Sequence, residues 1–171
     1  MAKQRTRPDL TGDERAQLLG WLELQRRVIH HKCDGLSEED AHRAPLPTSP
    51  LMSLAGLVSH LRWVELFWFE TVFLGGEPKD FDPEDADWMV DDVPISQLLA
   101  EYEAQCAVTD RIVTEHDLGE IARSERWEQS RGSLRWILTH MLEETARHAG
   151  HADVVRELID GDRGYYDTGQ V

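Results

Sequence analysis

Helical periodicity recurs in four long segments of this chain, and no segment of useful length alternates apolar and polar residues as a half-buried strand does. The four segments begin near Thr11, Ser53, Pro94 and Ser133, and stretches rich in proline, glycine or acidic residues separate them. Because each segment has an apolar side that must be buried, the segments are expected to pack against one another. The pattern predicts an all-α protein, built as a four-helix bundle.

Residues that start and stop helices stand at the ends of these segments. Ser53 and Ser133 are suited to cap the second and fourth helices, because a serine hydroxyl accepts a free N–H of the first turn. Gly75 and Gly161 follow those helices and are expected to end them. Pro94 suits the first position of the third helix, where no N–H is needed. A short further helix is predicted in the stretch SEEDAHRAP.

Length and composition indicate one domain. The chain has 171 residues, of which 40% are hydrophobic and 30% are charged, which is enough to bury a single core over residues 1–171. An acidic segment at about residues 77–93, between the second and third helices, contains prolines and has no periodicity. We expect a surface loop there that helps to shape a pocket, because long irregular connections are often functional.

The charge of the chain restricts its partners. A formal net charge of -15 makes a nucleic acid an unfavourable partner, because the phosphates would be repelled. No run of about 18 apolar residues is present to span a bilayer, and the N-terminus lacks the features of a secretory signal. Cys33 and Cys106 belong to no CxxC pair, so we expect reduced and packed thiols. The prediction is a cytoplasmic protein without nucleic-acid or membrane partners.

The run HMLEETARHAGH, at residues 140–151, concentrates three histidines and two glutamates at helical spacing. At about 100° per residue, His140, Glu144, His148 and His151 fall on one narrow stripe of the fourth helix. Apolar residues share this stripe, so we expect it to face the core. A buried carboxylate needs a pairing partner, a proton or a cation, which makes the stripe a candidate site.

Two residues of this stripe and one of the second helix are candidate metal ligands. Glu144 and His148 stand four apart, so their side chains can converge from adjacent turns. His60 lies among apolar residues of the second helix. Taken separately, His60 is typical of a core histidine, and the other two are typical of a salt-linked cluster with Arg147 or Arg62. Taken together, three such residues that face one core predict a metal site.

Two histidines and one carboxylate suit a borderline divalent ion such as zinc, with nickel or iron as alternatives. Three protein ligands leave open positions for water or substrate, as in catalytic sites. His140 and His151 are predicted to hydrogen-bond a ligand or a bound water, and either could exchange roles with a neighbour on the stripe. The remaining histidines lie near helix ends or in loops, where we expect solvent exposure: His30, His31, His42 and His116.

Two long segments carry a resemblance to a known family. The stretches PLPTSPLMSLAGLVSHLRWVELFWFETVFLGGEP and SLRWILTHMLEETARHAGHADVVRELIDG resemble the DinB-like metalloprotein superfamily, in particular an actinobacterial branch. This resemblance implies an up-down-down-up bundle, often dimeric, with a divalent metal bound by one histidine of the second helix and two residues of the last. Many members have HxxxH on the last helix, where this chain has Glu144 and His148. That His, Glu, His set is similar to the set of mycothiol-dependent maleylpyruvate isomerases.

The resemblance also implies a class of reaction. Members with known activities mostly transfer low-molecular-weight thiols, with mycothiol in actinobacteria and bacillithiol elsewhere. The implied function is therefore a metal-dependent homodimeric enzyme that activates a mycothiol-type thiol for S-transfer to, or isomerisation of, a small electrophile. A bound cation favours a thiolate over a thiol. Trp63, Phe67 and Trp68 are candidate walls of a substrate pocket, and Arg62 is either a contact for an anionic group or a surface arginine.

Other classes of protein share this ligand set. Two histidines and one carboxylate also bind iron(II) in oxygenases, and a metal-bound hydroxide would hydrolyse an ester or amide. A non-catalytic, stress-associated protein could use the metal only to tie two helices together. A site closed by a fourth protein ligand would favour that last interpretation.

Overall fold

A computed structural model describes residues 7–79, 84–126 and 131–163 of the chain. Over these residues the structure is helical, and its only β-type contact is an isolated antiparallel bridge between Ile121 and Ser133. The predicted all-α class is confirmed. The α-helices are α1 (Glu14–Cys33), α2 (Glu38–His42), α3 (Leu54–Leu66), α4 (Ile95–Glu115) and α5 (Leu134–Asp160). A π-helix, Phe67–Phe73, continues α3, and Ala86–Trp88 forms a single 3-10 turn.

The helix ends follow the signals in the sequence. The side chains of Ser53 and Ser133 each accept a backbone N–H of the following first turn, as predicted. Gly161 ends α5 at φ 81°, in the left-handed region that side chains other than glycine's rarely adopt. Asp13 caps α1 by accepting an N–H, so this helix begins after Asp13 although the periodic segment starts near Thr11.

α3 is the second of the four long helices predicted from the sequence, and it packs against α5, which is the last of them. α1 packs along α5 and α3 packs along α4, while α3 also contacts α1 and α5. Leu57, Val58 and Leu61 of α3 are fully buried, as expected for a helix that is apolar over most of its circumference. None of the described helices is long and apolar enough to cross a membrane. The up-down-down-up order and the single domain over residues 1–171 stay predictions.

The acidic segment after α3 is only partly a surface loop. Residues 80–83 of this segment lie outside the described residues. Its second half forms the 3-10 turn and then packs against the core through Trp88 and Val90, of which Val90 is 9% exposed. These apolar side chains stand among acidic neighbours, and their burial holds the turn against α3.

A buried ionic network joins α1, α3 and α4. Nε and Nη2 of Arg26 donate to the two carboxylate oxygens of Glu65 at 2.8 and 2.7 Å, and Nη1 donates to Asp110 at 2.8 Å. Burial alone would lower the pKa of the Arg26 guanidinium, but Glu65 outweighs that effect and the pKa is raised well above its usual value. The guanidinium therefore keeps its charge, and carboxyl groups of α3 and α4 pair with it inside the protein.

Candidate metal centre

Three side chains from two helices converge at one point. His60 comes from α3, and Glu144 and His148 come from successive turns of α5. One ligand atom of each lies within 4.8 Å of the other two. Oε1 of Glu144 is 3.0 Å from Nε2 of His148 and 3.5 Å from Nε2 of His60. The structure thus brings together the three residues predicted as ligands, and the group could hold a metal ion.

The charges at this point suit a cation. Burial raises the pKa of the Glu144 carboxyl, but His148, Arg147 and His60 outweigh this effect and lower the pKa overall. Burial lowers the pKa of His148, and repulsion from His60 adds to the effect against the attraction of Glu144. A carboxylate and a neutral imidazole are the forms that coordinate metals, so both groups are ready to bind without first losing a proton.

Residues of the 3-10 turn orient His60. Oδ2 of Asp87 lies 2.7 Å from Nδ1 of His60, and the Trp88 ring stacks on the imidazole with centroids 4.2 Å apart. A carboxylate that accepts from Nδ1 leaves the lone pair on Nε2, which is the nitrogen that faces Glu144. Carboxylates commonly support metal-binding histidines in this way. Sequence reasoning missed both residues because they lie in a segment without periodicity, where an isolated tryptophan was the available signal.

The two predicted supporting histidines differ in their surroundings. Nδ1 of His151 lies 3.3 Å from Nδ1 of His148, so His151 directly contacts a candidate ligand. His140 instead stacks on Trp136 at 5.4 Å and meets the edge of Trp68 at 4.8 Å. We call Trp68, Trp136 and His140 the aromatic cluster. His140 therefore belongs to this cluster, one helical turn before Glu144 on the same face of α5.

The predicted stripe lies at the edge of the buried face of α5, and the expectation that it faces the core is wrong in part. His148 is buried, but Leu158 on the same stripe is 53% exposed and the adjoining Trp136 is 48% exposed. Ile137 and Val155 of the stripe are fully buried, and the other fully buried residues, such as Met141 and Ala152, lie on a neighbouring face. α5 packs mainly along α1, which turns the stripe towards the boundary between core and solvent. The candidate centre therefore lies at this boundary, with the side chains of His60, Glu144 and His148 exposed by 16%, 13% and 10%.

The predicted pocket residues separate into two groups. Nη1 of Arg62 lies 3.3 Å from Oε2 of Glu101 on α4, and its guanidinium lies over the Trp63 ring at 4.4 Å. This ion pair and this ring contact of Arg62 involve neither His60 nor α5. Phe67 contacts the edge of Trp68 at 5.5 Å and so adjoins the aromatic cluster.

The four remaining histidines are partly buried, and both cysteines are buried. His30, His31, His42 and His116 are half-buried, so the expectation that they are exposed is wrong. Cys33 and Cys106 are free and buried, as predicted. Burial raises the pKa of Cys33 to about 12 and raises the pKa of Cys106 further. Neither thiol of the chain is therefore available as a nucleophile at neutral pH.

Comparison with known proteins gives this geometry a family context. The sequence profile of the Mycothiol-S-transferase (MST) family matches residues 17–161, a span that includes all three converging residues. No curated protein is similar enough in sequence to match. The crystal structure of a conserved protein from Enterococcus faecalis superposes with a TM-score of 0.66 at 16% identity, over 89% of this chain and 100% of that chain. This likeness concerns the fold alone. The profile match shows that the chain belongs to the MST family, within the DinB-like superfamily.

Proposed function

We propose that this protein is a divalent-metal-dependent transferase that moves a small thiol of the mycothiol type to an electrophile. The observation that carries the proposal is the convergence of His60, Glu144 and His148 in a chain of the MST family. Membership of the family supports the thiol, and the converging side chains support the metal. In the proposal the protein is a single domain over residues 1–171 that works as a cytoplasmic homodimer, without nucleic-acid or membrane partners.

The donor set fits the proposed ion. Two imidazole nitrogens and one carboxylate oxygen suit zinc, and they also accept nickel or iron(II). A divalent cation bound there would stabilise the thiolate of an incoming thiol over the thiol, and so make it a nucleophile at neutral pH. Three protein donors leave room for that sulfur atom.

The residues around the donors hold them in the required geometry. Nη1 of Arg147 donates to Oε2 of Glu144 at 3.2 Å, so Oε1 is the oxygen left towards the centre. Asp87 keeps the proton of His60 on Nδ1, and Trp88 covers one face of the imidazole against water. His151 adjoins Nδ1 of His148 and supports that ring.

The nucleophile comes from a separate molecule, because Cys33 and Cys106 are buried and their raised pKa values keep them protonated. In the transfer, the sulfur forms a bond to the electrophilic carbon while the leaving group departs with its bonding electrons. The proton of the thiol is released to solvent. In an isomerisation the same bond would form and break again, so that the thiol is regenerated.

The electrophile would bind on the side of the centre where Phe67 and the aromatic cluster lie. Phe67 and the aromatic cluster lie beside α5 and offer flat apolar surfaces for it. Trp63 and Arg62 would form a more distant rim near α4, where Glu101 already pairs with the arginine. In this proposal His140 contacts the substrate rather than a metal ligand.

Metal analysis of four proteins tests the proposal. The wild type and Glu143→Ala are expected to retain one divalent ion, because Glu143 is half-exposed, pairs with His140 and Arg147 and is not one of the three converging residues. Glu144→Ala and His148→Ala are expected to lose the ion. Retention of metal in both of these variants would overturn the assignment of the site.

A thiol-consumption assay on the same proteins tests the reaction. Metal-loaded wild type and Glu143→Ala are expected to consume mycothiol in the presence of an electrophile such as monochlorobimane, and the two depleted variants are not. Metal-loaded protein that consumes no mycothiol with any electrophile would contradict the transferase. Iron in natively expressed protein would favour an oxygenase, and ester or amide cleavage would favour a hydrolase. Bound metal without exchangeable water would favour a non-catalytic role.

A further inference from the structure

His42, the last residue of α2, fastens the chain that follows the 3-10 turn. Its Nε2 lies 3.2 Å from the carbonyl oxygen of Val90 and 3.0 Å from that of Val93. Its Nδ1 lies 2.8 Å from the carbonyl oxygen of Glu38. The ring therefore bridges α2 and the segment between the 3-10 turn and α4.

The polar atoms around this ring are all acceptors. A carbonyl oxygen only accepts, so a ring nitrogen of His42 that carries a proton can donate to the carbonyl that faces it. The Oε2 atom of Glu38 lies 3.9 Å from Nδ1 and also accepts the N–H of Ile95 at 2.9 Å. Asp91 and Asp92, which lie between the two carbonyl groups that face this ring, are exposed.

The segment that His42 contacts is packed against the helix that carries His60. Trp88 and Val90 pack against the hydrophobic core. The backbone of Trp88 also lies close to α3 at Gly56, where an added Cβ would come within 3.3 Å of the Trp88 carbonyl oxygen. Gly56 stands one helical turn before His60. A shift of the backbone beside His42 would therefore be transmitted to the contacts that orient His60.

We propose that His42 is a positioning residue for the metal centre. By fixing the backbone that follows the 3-10 turn, it keeps Asp87 and Trp88 against His60. The Asp87 contact in turn directs Nε2 of His60 towards Glu144. None of the hydrogen bonds of His42 involves a candidate ligand, so its effect passes through the turn. The inference rests on the proposed metal centre, and its test separates the two.

Three substitutions test this role. His42→Phe keeps a ring but removes both nitrogens, whereas His42→Lys restores N–H donors. His116→Phe is the matched control, because His116 is also half-buried but pairs with Glu120 and packs on Phe73, away from the centre. Two quantities are measured on each purified full-length protein. They are the dissociation constant of Zn²⁺, by competition with a chromophoric chelator, and the ¹⁵N shifts of the His60 ring in metal-free protein.

In His42→Phe the zinc dissociation constant is expected to rise about tenfold, as when the support of a metal ligand is removed. The His60 ring in that metal-free variant is expected to populate both tautomers rather than the Nδ1–H form. His42→Lys is expected to stay within about threefold of the wild type, and His116→Phe is expected to match it.

An unchanged dissociation constant with a single His60 tautomer in His42→Phe would overturn the inference. Equal weakening by His116→Phe would overturn it too, since it would indicate a general loss of stability. If His42→Lys binds zinc as weakly as His42→Phe does, the proposed role of N–H donors at this position would be contradicted. If the wild type binds no zinc, the proposed metal centre fails, and the His60 shifts of the metal-free proteins still decide whether His42 positions that ring.

Discussion

α3 carries an ionisable residue on each of two sides, and the protein surrounds them differently. On one side Glu65 is fully buried, and both of its oxygens accept hydrogen bonds from Arg26. On the other side His60 is 16% exposed, and its Nε2 lies 3.5 Å from Glu144, too far for a good hydrogen bond. The first side is a completed ion pair, and the second is a set of donors with room at its centre.

The difference separates a structural cluster from a candidate site. A buried ion pair whose atoms are all paired has no capacity left for a ligand, and its removal leaves an uncompensated charge. A group of donors without complete pairing gains free energy when a cation binds. Perturbed ionisation occurs on both sides, so it does not by itself identify function.

The largest effect is expected on the side of α3 that carries Glu65, which we call the closed side. Glu65→Ala leaves the Arg26 guanidinium buried without its main partner, and such a loss costs about 3 to 5 kcal/mol in free energy of unfolding. Urea denaturation measures the change. Glu14→Ala is the control, because Glu14 is 52% exposed where it pairs with Arg135, and an exposed pair contributes about 1 kcal/mol or less. Equal effects in the two variants would show that the Arg26 pair is not special.

The side of α3 that carries His60, which we call the open side, is expected to bind zinc, whereas the closed side is not. Zinc at about 100 times its dissociation constant should stabilise the wild type by about 2.7 kcal/mol, seen as a rise in Tm. His148→Ala should lose this rise. His140→Ala should keep it, because His140 contacts the aromatic cluster. A rise that survives in His148→Ala would mean that zinc binds elsewhere.

Removal of Asp87 is expected to affect affinity more than folding. Asp87→Ala should weaken zinc binding by about 10- to 100-fold, because His60 loses the carboxylate that fixes its tautomer. Calorimetric titration measures the affinity. Asp85→Ala serves as the control, since the Asp85 side chain is exposed and makes no capping hydrogen bond. Similar losses in both variants would indicate a general effect of acidic charge rather than orientation of the ring.

The smallest effect is a pH dependence confined to the open side. Glu144 and His148 both have a lowered pKa in the folded protein, so each binds fewer protons there than in the unfolded chain. Their contribution to stability is therefore present at neutral pH and is lost as the pH falls below the ordinary values of 6.5 and then 4.5. Metal-free wild type should lose more stability between pH 7 and pH 5 than His148→Gln. Parallel loss in both proteins would contradict this assignment.

Much of the fold could be predicted because its signals are local. The hydroxyls of Ser53 and Ser133 cap the helices that they precede, and Gly161 ends α5. The spacing of Glu144 and His148 already placed both on one face. The exposure of that face could not be predicted from periodicity, because the partner helices decide which part of a mixed face is covered.

The sequence alone determined where the long helices begin and end, that they carry apolar faces, and which residue types could hold a cation. These properties depend on neighbours within one or two turns. Only the tertiary structure decided that Asp87 and Trp88 meet His60, that His42 fastens their turn, and that Arg26 closes on Glu65. Each of those contacts joins residues far apart in the chain. Such pairs form only when the packing of the apolar faces brings them within reach, so no local sequence pattern predicts them.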